Sequence, residues 1–270
     1  MECLKLTYKP LFELRTHERM PSREAKVVQM FTSVDPLAEQ TMTPYQYVHN
    51  NPIMFIDPTG MNHHDYEINE DGSFTKIKDD LINPDCVFNS KGEFVELEYS
   101  GQIEDMKQYG ETSVMKFNDA SKSTEAFEFF AKNSDVEWGQ VKTDKTSYVM
   151  TDKSETSVSA SSFAYSFLLS QGKNVTDINH SHPVHNIGEE TPSGYGHNPT
   201  KNNMYSEPSP YGEPYGDYKA VRTLIYGTTQ DGHDFKGFGD KARNINFRVY
   251  NPVNNTYIKY DEQKAVKINP

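Results

Sequence analysis

The stretch "NVTDINHSHP", residues 174–183, narrows what this chain can fold into more than any other. Val175, Thr176 and Ile178 suit a strand, Pro183 ends one, and side chains two apart on a strand share a face. His180 and His182 therefore project side by side from a strand end. Two imidazoles so placed offer two nitrogen ligands to a metal. A catalytic zinc site adds a third protein ligand and keeps one position open for water. A fold that uses this pair has to bring a third ligand and a base to the end of one strand.

The neighbouring segments read as helices and strands in alternation. "SKSTEAFEFFAKNS", residues 121–134, opens on hydroxyl residues and carries Ala126, Phe127, Phe129 and Phe130 at helical spacing. "VEWGQVKT" alternates like a strand, with Glu137 and Gly139 on one face and Val136 and Trp138 on the other. The one tryptophan, Trp138, suits a core anchor. "SYVMTD" reads as a second strand. "SASSFAYSFLLSQGK" reads as a helix with Phe163, Phe167 and Leu168 inward and Gly172 at its C-terminal cap. The tail from Ile245 to Ile268 reads as a hairpin turning between Asn251 and Asn255. Helix, strand, strand, helix, strand is the order of an α/β (α+β) sheet flanked by helices.

Upstream, residues 62–115 read as a β-rich linker. Its two turns, Glu70-Asp71-Gly72 and Ser90-Lys91-Gly92, sit between alternating strands. His63 and His64 are adjacent, would face opposite ways on a strand, and read as solvated. Cys3 and Cys86 lie in unrelated segments with no base nearby, which disfavours both a disulfide and a thiol nucleophile. The net charge of −12 counts against general nucleic-acid binding. No apolar run is long enough to span a bilayer, and the N-terminus lacks the pattern of a signal peptide.

Downstream of the histidines, Asp217 follows Gly216 and opens "YKAVRTLIYG", which makes it a natural third ligand. Glu137 has the chemistry of a general base for an attacking water. This set resembles the JAB/MPN (JAMM) metalloprotease motif, an upstream Glu, then His-x-His-Pro, then Ser-x-x-Asp. Glu137 matches the catalytic acid/base, and His180, His182 and Asp217 match the metal ligands. The resemblance implies one catalytic zinc ion and hydrolysis of peptide or isopeptide bonds, in substrates that are often ubiquitin or ubiquitin-like proteins. It places a JAB/MPN-like domain at residues 116–270.

Residues 31–61 carry "SVDPLAE", "PYQYVHNNPI" and "DPTGM" in order. They resemble the end of the Rhs/YD-repeat core of bacterial polymorphic toxins, which makes residues 1–61 a core-like remnant and Met61 a candidate cleavage position. Together the two resemblances imply a JAB-like toxin tip, secreted or delivered into the cytoplasm of a target cell and countered by a cognate immunity protein.

The chain departs from the JAMM pattern in two ways. The motif's serine falls at Pro214, so Ser193 and Ser209 are the candidates for orienting the scissile carbonyl. The stretch between His182 and Asp217 is long and rich in Gly, Pro and Tyr, and reads as a flap over the site, with His185 and His197 as solvated loop residues. Pro214 also keeps a second reading in view, an inactive MPN-type binding scaffold. A metal-dependent nuclease toxin is the third, although no paired-carboxylate or His-Asn-His pattern accompanies it.

Overall fold

A computed structural model describes residues 63–80, 84–183, 191–197, 204–208, 215–230 and 233–268. Residues 1–61, with Cys3 and Met61, lie outside the described residues, as do His185, Ser209 and Pro214.

Two hairpins come first. Strands β1 (His63–Ile68) and β2 (Phe74–Asp80) pair antiparallel, as do β3 (Cys86–Phe88) and β4 (Phe94–Glu96). Their turns use the same chemistry. Asn69 and Gly72, then Asn89 and Gly92, close each turn, and each glycine takes the positive φ that a side chain resists. β1 and β3 run parallel, giving a four-stranded sheet in the order β2-β1-β3-β4.

β5 (Lys107–Tyr109) and β6 (Thr112–Phe117) already belong to a second, ten-stranded sheet. β7 (Trp138–Thr143), β8 (Ser147–Thr151) and β9 (Val175–Ser181) form its middle. β10 (Tyr195–His197) and β11 (Met204–Pro208) come from the long insert. A small separate hairpin, β12 (Gly227–Gln230) with β13 (His233–Lys236), precedes the C-terminal strands β14 (Asn246–Asn251), β15 (Thr256–Tyr260) and β16 (Ala265–Ile268). The order is β10-β11-β16-β15-β14-β9-β7-β8-β6-β5, with β9 antiparallel to β7 and parallel to β14.

Helices cover both faces. On one lies α1 (Ala120–Lys132), capped by Asp119, whose carboxylate accepts from Ser121 and Lys122 N–H. It packs Phe127 and Phe130 against Met115, Phe117, Trp138 and Tyr250, and the four-stranded sheet adds Tyr66, Val87 and Leu97 to the same core. On the other face lie α2 (Ala160–Phe163), α3 (Gly216–Tyr226) and α4 (Asp240–Arg243). Phe163, Leu168, Val221, Leu224 and Ile225 pack there against Val141, Ile178, Val249 and Ile258. The α+β class expected from the sequence is the one found.

Four details differ from the sequence reading. α2 runs on as a π-helical turn over Ala164–Leu168 and a 3-10 turn to Gln171 before the left-handed Gly172 ends it. The wider turn shifts the inward face by a residue, so Leu169 is buried and Phe167 is 38% exposed, its ring packed at a tilt against Tyr109. The insert is not all flap, since β10 and β11 extend the sheet beyond β16. His64 is not solvated: its side chain is 14% exposed, beside Glu104 and edge-on to Tyr66. Cys86 is buried and is not a free thiol.

Candidate metal centre

β9 is where the sequence placed it, and its alternation sorts its side chains between the two faces. Ile178 packs in the core under α2 and α3, so His180 and His182, two and four residues on, share that face. On β7, Gly139 pairs with His180, and the same register sets Glu137 opposite His182. Gly139 is required there, because a Cβ would lie 2.9 Å from Ala160 Cβ and 3.1 Å from Met150 Cγ. The missing side chain lets α2 sit close to the sheet beside the site.

Glu137 precedes β7 by one residue and is fixed by its backbone. Its N–H donates to Ser154 O at 2.8 Å, and its carbonyl accepts from Thr151 Oγ1 at 2.9 Å. Glu137 and His182 both line a cleft of about 350 Å³ with Glu155, Thr156, Ser193 and Tyr215. Glu137 itself is only 8% exposed.

α3 supplies the third candidate ligand from its first turn. A carboxylate is favoured there by the unpaired N–H groups and the dipole of a helix start. Asp217 Oδ1 lies 3.3 Å from His180 Nε2, and the ligand atoms of His180, His182 and Asp217 are all within 4.8 Å of one another. Ligands about 2.0–2.1 Å from a tetrahedral ion stand about 3.3 Å apart. The donor set, two imidazoles and one carboxylate, and the 3.3 Å between His180 Nε2 and Asp217 Oδ1 are compatible with a zinc ion.

Electrostatics binds the group together. Burial works against a charged His180, but the adjacent Asp217 carboxylate, the hydrogen bond between them and the charge of Glu137 more than offset it and hold the imidazole up at about 9. Burial also works against a charged Asp217. His180, its hydrogen bond, the Ser193 N–H and His182 outweigh that and keep the carboxyl below its usual range. The metal-free pair is an imidazolium with a carboxylate, so a metal ion has to displace the His180 proton.

Several contacts around the site were not legible in the sequence. Tyr260 is buried with its ring edge-on to His180 at 6.3 Å, and Tyr195 packs against both Tyr260 and Tyr218. Burial, followed by the charges of Asp217 and Glu137, keeps the Tyr260 phenol protonated. Ser193 is turned toward Asp217: its N–H and Oγ donate to Oδ2 at 2.7 and 2.9 Å. The only sequence hint of that contact is the pair of glycines, Gly194 and Gly216. His197 lies in β10, and its side chain is not among those described.

No curated protein and no solved structure matches the chain. Glu137, His180, His182 and Asp217 all fall within residues 115–222, which match the family model described as JAB-like toxin 1, and that match supports a JAB-like toxin domain across this segment.

Proposed function

We propose that the chain carries a zinc-dependent hydrolase of peptide or isopeptide bonds, acting as the toxic tip of a delivered bacterial effector. The observation that carries this reading is the convergence of His180, His182 and Asp217 beside a cleft that also holds Glu137. A zinc ion bound by the three supplies Lewis acidity toward a scissile carbonyl and acidifies a water molecule. Glu137 takes the proton from the attacking water on its carboxylate and returns it to the departing amine. His180 and Asp217, both mostly buried, hold the ligand geometry, while His182 faces the cleft.

The match to a toxin family supports the effector role. Action in the target-cell cytoplasm, a Rhs-type carrier at residues 1–61 with release near Met61, a protein substrate of ubiquitin-like type and a cognate immunity protein are parts of the same proposal, resting on the two resemblances. No helix among the described residues is long and apolar enough to cross a membrane.

The Glu137→Gln variant tests the chemistry. Cleavage of peptide and isopeptide substrates should fall about 10²–10⁴-fold, the range for loss of a general acid–base group, with zinc content unchanged. Equal activity in the variant would remove Glu137 from the reaction. One observation favours a second reading, a binding scaffold without turnover: the Ser193 hydroxyl is bonded to Asp217, so it is not directed at a substrate carbonyl. Zinc binding with no cleavage by the wild type would favour that scaffold. Metal-dependent degradation of plasmid or RNA would favour a nuclease.

A further inference from the structure

The sequence offers Ser193 as a stand-in for the missing motif serine, aimed at the substrate. The geometry assigns it a different task. All of its polar groups are engaged with the first turn of α3. Its N–H and Oγ–H donate to Asp217 Oδ2 at 2.7 and 2.9 Å, its Oγ accepts from Asp217 N–H at 2.9 Å, and its carbonyl accepts from Tyr218 N–H at 3.2 Å. α3 has no side-chain cap of its own, because Tyr215 stands at the capping position. Ser193 does that work from 24 residues upstream.

The approach is close enough to demand glycine on both sides. A Cβ on Gly216 would fall 2.0 Å from Ser193 Oγ, and one on Gly194 would fall 2.6 Å from Tyr215 O. Both glycines also have positive φ, +56° and +90°. The two segments are built to meet.

We propose that Ser193 is a positioning residue that makes Asp217 a one-oxygen metal ligand. Two donors occupy Oδ2, which leaves Oδ1 as the oxygen turned toward His180 Nε2 at 3.3 Å. A carboxylate free to swing can chelate with both oxygens and take up the position that a water or substrate carbonyl needs. Ser193 holds that position open. This rests on the metal-site reading above. It concerns the supporting shell, whose loss commonly costs 10–100-fold in metal affinity or activity.

The test uses cobalt(II) in the whole chain, for the wild type, Ser193→Ala and Gly216→Ala. The last places a carbon where the hydroxyl now sits. Cobalt in a four-coordinate site absorbs strongly in the visible, and higher coordination weakens those bands. The expected result is an intense spectrum for the wild type and a weaker one for both variants, with cobalt affinity reduced about 10–100-fold. Thermal unfolding of the cobalt-free variants checks that they are folded. Ser193→Ala with the wild-type spectrum and affinity would overturn the positioning role and leave the metal site standing. A folded wild type that takes up no cobalt would overturn the metal site and this role with it.

Discussion

The two faces of the central strands β7 and β9 are made from alternate residues of the same few turns of chain, and they handle polar groups in opposite ways. On the α1 face, Trp138, Gln140 and Asn179 bond to neighbours within the sheet and to α1 or the residues that follow it. Asn179 Nδ2 donates to Gln140 Oε1 at 2.8 Å, Gln140 Nε2 donates to Ser123 Oγ at 2.8 Å, and Trp138 Nε1 donates to Ser134 Oγ at 2.8 Å. These groups hold α1 against the sheet. On the α3 face, Glu137, His180 and His182 join Asp217, and charged groups converge on one point. Buried polar residues of the first kind bond mainly to one another and to α1, leaving Asn179 Oδ1 without a partner, and those of the second kind gather the ligand atoms of a candidate metal site. Burial alone does not separate a structural polar residue from a functional one; the direction in which the donors and lone pairs point does.

Substitutions on the two faces should therefore fail differently, and the largest effect belongs to the α1 face. Trp138→Ala removes a fully buried ring that packs on Phe130 at 4.8 Å. It should cost about 3–5 kcal/mol of stability, read as a shift in the denaturant midpoint with metal affinity unchanged in the folded fraction. A loss below about 1 kcal/mol would break the picture of a dry aromatic face. Gln140→Ala should cost less, about 1–3 kcal/mol, because it strands Asn179 Nδ2 without its acceptor. Again the metal affinity should not move, which a zinc titration would show.

The α3 face should reveal itself through pH. His180 has its pKa raised on folding, so in metal-free protein its contribution is fully present below its unfolded value of about 6.5 and is lost as pH rises through about 9. Asp217 is depressed, so its contribution holds above the ordinary carboxyl range and disappears as pH falls below it. The stability gap between wild type and His180→Gln should be widest near pH 5–6 and shrink by pH 9. Zinc should show the opposite trend, binding more tightly as pH rises because it competes with the His180 proton. A pH-independent gap would mean that the pair does not carry charge in the folded state.

Much of this was readable in the sequence, and for a physical reason in each case. The hairpin turns at Gly72 and Gly92 and the helix stop at Gly172 rest on local backbone geometry, and all three glycines take positive φ. His180 and His182 share a face because strand alternation requires it. What stayed hidden depends on contacts far apart in the chain or on small changes of helical pitch. Ser193 meets Asp217 across an insert whose length disguised it as a flap, and β10 and β11 within that insert found a sheet edge at β16. The π turn moved Phe167 outward, although nothing in its composition distinguishes it from an α-helical turn. The four-stranded sheet reads as a connector until α1 supplies the aromatic face it packs on.

The most direct measurement is zinc content by elemental analysis, on protein purified without chelator, for the wild type and His180→Ala. The account predicts one zinc ion per folded wild-type chain and none in the variant. A folded wild type without zinc, or a variant that keeps it, would contradict the account.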